Sequence, residues 1–154
     1  MKLAYLLLAF LLVLTSCANQ TVSTQMFYAS KQCSEQRASV KLFNNKEDLN
    51  KVSGLANAFG ASDQKLDLFS NFDFEKYLAV VVAAGRQRNN GYDIVLTNSQ
   101  SKLKGKTVVL PVEFVTPAPG IRYNQIATTP CMIIGVEKAG YSKIKAGKLE
   151  LNLK

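Results

Sequence analysis

The stretch YLAVVVAAG, Tyr77 to Gly85, is an unbroken apolar run that stops at a glycine. A strand with one wet face alternates apolar and polar residues, so a continuous run demands cover on both faces. The run is far too short to span a bilayer as a helix, which takes about 20 apolar residues. Three consecutive valines also favour a strand. The chain must therefore supply apolar layers on both sides of this one element.

The residues that follow, GRQRNNGYDIVLT, read first as a turn and then as a strand. Asn90-Gly91 is a strong two-residue hairpin signal, because a type I′ turn needs positive φ at both central positions. Tyr92, Ile94 and Leu96 then share one face of the next strand. Further strands are expected at Gln25–Ser30, Ala38–Asn45, Thr107–Val115, Cys131–Lys138 and Lys148–Lys154. Pro111 cannot donate to a ladder and places the Thr107–Val115 strand at an edge or a bulge. SQSKLKGK and KIKAGK read as lysine-rich turns, and Thr116–Pro130 as a long irregular crossing. One helix is expected early: Asn45 caps it, Leu49, Val52, Leu55 or Ala56, and Phe59 fall at helical spacing, and Gly60 ends it. These elements predict an α+β fold, mostly antiparallel β-sheet (a sandwich or open barrel) with one early α-helix.

The amino end carries an address. Lys2 precedes the apolar stretch Leu3–Leu14, and LTSC, Leu14 to Cys17, resembles the lipobox of bacterial lipoproteins. Residues 1–16 are then a signal peptide, Cys17 is the lipidated residue, and 17–25 form a polar tether to one globular domain at 26–154. No aspartate follows Cys17, which favours the outer membrane in a double-membrane cell and the cell membrane in a single-membrane one. Outside the cytoplasm the remaining two cysteines, Cys33 and Cys131, are expected to pair. The bridge closes a loop of about 98 residues, for roughly 4 kcal/mol in the loop-entropy account.

The formal net charge is +8, with lysines dispersed along the chain, so solvated turns are a better account than a nucleic-acid site. The sequence contains no histidine, which removes the Ser-His-Asp and Cys-His catalytic arrangements and histidine-based zinc sites. Three Ser-x-x-Lys tetrads (from Ser62, Ser99 and Ser142) begin no convincing buried helix. Asp63, Asp67, Asp73 and Glu75 lack calcium-loop spacing. No catalytic residue, metal ligand or cofactor motif is assigned, and the chain reads as a non-enzyme.

The segment from about Phe72 to Lys138 resembles the carboxy-terminal domain of the protease complex subunit PrcB family. The features that carry it are Asp73-Phe74 before the apolar strand, Gly85, Gly91-Tyr92, Pro119-Gly120 and Thr129-Pro130. Asn89-Asn90 stands where that family commonly has Thr-Gly, and Cys131 where an aromatic often follows the Thr-Pro. The family is named for a lipoprotein that associates with a subtilisin-like surface protease. The resemblance implies a non-catalytic envelope protein that binds a partner protein, a protease among the candidates. The alternatives are a chagasin-like protease inhibitor and a basic structural module for anionic envelope components. Arginine and tyrosine are favoured at the energetic centres of interfaces. The partner-binding residues expected on these grounds are Arg86, Arg88, Asn89, Asn90, Gly91, Tyr92, Pro119, Gly120, Arg122, Tyr123, Thr129 and Pro130.

Overall fold

The computed structural model describes residues 20–50, 69 and 71–153. The strands are β1 (Thr21–Ser30), β2 (Ala38–Phe43), β3 (Tyr77–Ala84), β4 (Asp93–Leu96), β5 (Gln100–Lys104), β6 (Thr107–Leu110), β7 (Val112–Val115), β8 (Cys131–Glu137), β9 (Lys143–Ala146) and β10 (Leu149–Asn152). Among the described residues one short helix, α1 (Lys46–Asn50), follows β2. Eight strands form one sheet in the order β10-β9-β6-β5-β1-β8-β3-β2, and β4 and β7 form a separate pair. Among the described residues all ladders are antiparallel except β6–β9. The two edge strands, β10 and β2, approach each other, so the sheet nearly closes into a barrel.

β3 lies between β8 and β2 and is covered on both faces, as its sequence demands. Val80 and Val82 point into the barrel core with Val22, Met132, Ile134, Val136, Val108 and Ile144. Ala79 and Val81, with Ile133 of the neighbouring β8, point outward under a second layer of Leu49, Phe69 and Phe72. Full burial of each such aliphatic side chain contributes about 1.5–3 kcal/mol. The outer layer depends on Gly135: a Cβ there would stand 2.6 Å from a ring carbon of Phe27. The register of β1 shifts between Met26 and Tyr28, and the Phe27 ring sits 4.5 Å from that of Phe72.

Asn45 caps α1 as expected, accepting from the Asp48 N–H at 2.8 Å and donating to the Asp48 carboxylate at 2.9 Å. The rest of the expected helix, Val52 to Gly60, lies outside the described residues, as do the signal peptide and Cys17. Asp73 shapes the entry to β3 by accepting from the N–H groups of Glu75 and Lys76 through its carboxylate.

Four expectations are corrected. The presumed tether extends into the fold, because β1 begins at Thr21 and its buried Val22 and Thr24 join the sheet, Thr24 hydrogen-bonding Ser101. The lysine-rich turns contain strands β5 and β9, whose outward positions are lysine apart from Gln100, while Ser101, Ile144 and Ala146 point inward. Their hairpin loops are only two residues long, led by Gly105 and Gly147, both at φ +59. Pro111 does more than mark an edge: it splits the Thr107–Val115 run into β6 and β7, which join different sheets. Its carbonyl accepts from the Thr97 N–H at 2.8 Å. Finally, β3 and β4 do not pair, and Asn89, Asn90 and Gly91 all have negative φ, so the type I′ hairpin is absent.

Candidate functional site

In place of a hairpin, the Gly85–Tyr92 loop pairs with the irregular Thr116–Pro130 segment at one end of the barrel. Gly85 starts the loop at φ +72, and a Cβ there would lie 2.6 Å from the Ala38 nitrogen. Only glycine meets both conditions. Arg86 N–H then donates to the Gln36 carbonyl at 3.1 Å. Gln87 and Thr128 exchange two backbone hydrogen bonds, at 2.7 and 3.1 Å. Asn90 N–H donates to the Asn124 carbonyl at 3.2 Å, and the Thr128 hydroxyl to the Asn89 carbonyl at 3.0 Å.

Asn89 is buried, and its side-chain oxygen accepts from Gly91 N–H at 3.0 Å, which closes the bend without a left-handed residue. Gly91 serves a contact instead: a Cβ there would fall 2.7–2.9 Å from three ring carbons of Tyr123. The Tyr123 hydroxyl in turn accepts from Ala118 N–H at 3.2 Å. Ala118–Ile121 is a tight turn with Pro119 and then Gly120 (φ +79) at its centre, the pattern of a type II turn. Lys31 reaches the loop from the third side, donating to the Asn90 carbonyl at 3.0 Å and pairing with Asp93 at 3.3 Å.

The Cys33–Cys131 disulfide is present, with Cα atoms 6.1 Å apart, packed on Ala83. It fixes the segment after β1 to the start of β8. Thr129 reinforces the same junction: its hydroxyl donates to the Cys33 carbonyl, its N–H to that of Lys31 at 2.8 Å, and its own carbonyl accepts from Cys33 N–H at 3.0 Å. Thr129 and Pro130 are buried, which places them in the framework of this end and not on a contact surface. Tyr92 is half-buried at the entry to β4.

What reaches solvent is a tip of defined chemistry. Arg86, Arg88, Pro119, Gly120 and Arg122 are exposed, and so are Ile121 and Ile126, each at 60 %. Neither loop contains a carboxylate, and none of the three arginines forms an ion pair with a described residue. The sequence signal for the two isoleucines is weak: a pair of large apolar side chains inside a Gly/Pro-flanked irregular segment. Below the tip lies a polar cleft of about 270 Å³, lined by Gln32, Gln36, Arg86, Thr128 and Thr129 beside the disulfide. The tip combines guanidinium groups, exposed apolar side chains and a braced backbone, which suits it to recognising a protein surface.

Residues 78–137 match the family model described as PrcB C-terminal. The matched PrcB-like segment begins on the second residue of β3 and ends on the last of β8, so it contains both loops of the tip. β1, β2, β9 and β10 lie outside it. It bears out the resemblance carried by Gly85, Gly91-Tyr92, Pro119-Gly120 and Thr129-Pro130, and the structure supplies physical roles for them. No curated protein and no solved structure matches the chain.

Proposed function

We propose that this chain is a lipid-anchored, non-catalytic envelope protein whose loop tip binds a partner protein, as the accessory or stabilising subunit of a surface or periplasmic protease. The observation that carries the reading is the tip itself: Arg86, Arg88 and Arg122 beside exposed Ile121 and Ile126, with no carboxylate in either loop. The PrcB-like segment supports a protease complex as the setting. Cys17, at the end of its apolar leader, is the anchor, held at the outer membrane of a double-membrane cell. The partner presents an acidic rim around an apolar patch.

Affinity purification of the full chain from cells, quantified by mass spectrometry, tests this. One envelope protein should co-purify reproducibly, and Arg86→Ala/Arg88→Ala/Arg122→Ala should reduce its recovery at least about tenfold, since truncated hot-spot side chains each cost more than about 1 kcal/mol. Undiminished recovery with the triple variant would remove the tip from the interaction.

A further inference from the structure

The barrel carries a second cationic surface, on strands outside the two tip loops. On β5, β6, β9 and β10 the inward positions are Ser101, Leu103, Val108, Leu110, Ile144, Ala146, Leu149 and Leu151. The opposite face holds Lys102, Lys104, Lys143 and Lys145, against the single carboxylate Glu150. The register sets them in two rows across the sheet, Lys102–Val109–Lys145–Glu150 and Lys104–Thr107–Lys143–Asn152. Lysines in one row are two strands apart, about 10 Å, and those on one strand are about 7 Å apart. Glu150 contacts Lys145 at 3.3 Å and Lys143 at 3.6 Å, while Lys102 and Lys104 are exposed and form no ion pair with a described residue. Lys106 extends the surface at the hairpin loop.

This face adjoins the point where the chain enters the fold. Thr21 is the register partner of Lys102, and the Gln20 carbonyl accepts from Leu103 N–H at 2.8 Å. Cys17 precedes Gln20 by three residues, which span at most about 10 Å when extended. That is about one Debye length in 0.1 M salt. The tip lies beyond the other end of β1, next to Ser30, whose register partner is Cys131.

We propose that the outer face of β5, β6, β9 and β10 rests on anionic phospholipid headgroups, holding the barrel against the bilayer beside its anchor. The proposal rests on the Cys17 anchor of the proposed function and is independent of any partner at the tip. A basic surface beside an acyl anchor is the second signal that strengthens membrane association, and each lysine close to an anionic leaflet adds to the attraction.

The test uses the full chain purified from membranes, its acylation at Cys17 read by mass spectrometry. The protein is reconstituted into vesicles of phosphatidylethanolamine with phosphatidylglycerol, or of phosphatidylcholine alone. Amine acetylation is then followed residue by residue. Lys102, Lys104, Lys143 and Lys145 should label several-fold more slowly on the anionic vesicles, with high salt erasing the difference, while Lys31 and Lys41 label equally on both. In a Lys102→Glu/Lys104→Glu/Lys143→Glu/Lys145→Glu variant, Lys106 should lose its dependence on vesicle composition. Equal labelling on both vesicles by an acylated protein overturns the proposal and leaves the tip reading intact. Slowing of equal size with soluble polyphosphate assigns the face to polyanions in general and overturns the lipid assignment. An unacylated Cys17 overturns both the face and the anchor.

Discussion

Gly91 lies against the ring of Tyr123, so closely that a single methyl group at position 91 would come within 2.7 Å of it. This contact joins two loops more than thirty residues apart in sequence and sets the shape of the tip. Gly91→Ala should therefore displace the ring and cost about 1–3 kcal/mol, the usual range for overpacking. Chemical denaturation of the single and double variants checks the cause. In a Tyr123→Ala background the cost of Gly91→Ala should fall substantially, because the clashing partner is gone.

The disulfide should be present in protein isolated from its native cells. Intact mass should rise by two hydrogens on reduction. A Cys33→Ala/Cys131→Ala variant should lose roughly 4 kcal/mol in the loop-entropy account, read from the shift in denaturation midpoint. The loss should include the Gly85–Tyr92 loop, since Thr129 and Cys33 are bonded at the same junction.

Tyr141 sits in the barrel core with its hydroxyl buried and unpartnered among the described residues, and burial pushes its pKa up from 10.0 to about 12. The folded state therefore holds the phenol proton more tightly than the unfolded state does. Its contribution is fully present below pH 10 and is lost as the pH rises from about 10 through about 12. Tyr141→Phe should flatten that part of the stability–pH curve. It should leave stability at neutral pH unchanged or raise it by about 1 kcal/mol, because an unsatisfied hydroxyl leaves the core. Denaturation across alkaline pH measures both.

Much of the barrel was legible because β3 and β8 carry apolar runs that tolerate only a central, doubly covered position. β5 and β9 were not, since lysine at every outward position but Gln100, with serine inward at Ser101, imitates a solvated turn. The break at Pro111 was half visible: the missing N–H shows in the sequence, but the change of sheet depends on where Thr97 stands. Asn90-Gly91 misled for a long-range reason. The local preference for a left-handed turn is overridden by the Asn124 carbonyl, the Thr128 hydroxyl and the Tyr123 ring, none of them a sequence neighbour. The arginines and glycines of the tip could be named from residue type and resemblance. That Thr129 and Pro130 brace it from within, and that Ile121 and Ile126 stand out from it, depends on the fold.

The most direct test of partner binding through the tip is site-specific photo-crosslinking in living cells. A photoreactive residue is placed at Ile126 in one strain and at Lys104, on the far end of the barrel, in another. The account predicts a discrete crosslinked protein from position 126, lost on adding Arg86→Ala/Arg88→Ala, and none from position 104. Crosslinks of the same protein from both positions, or a reproducible absence of any from position 126, would contradict it.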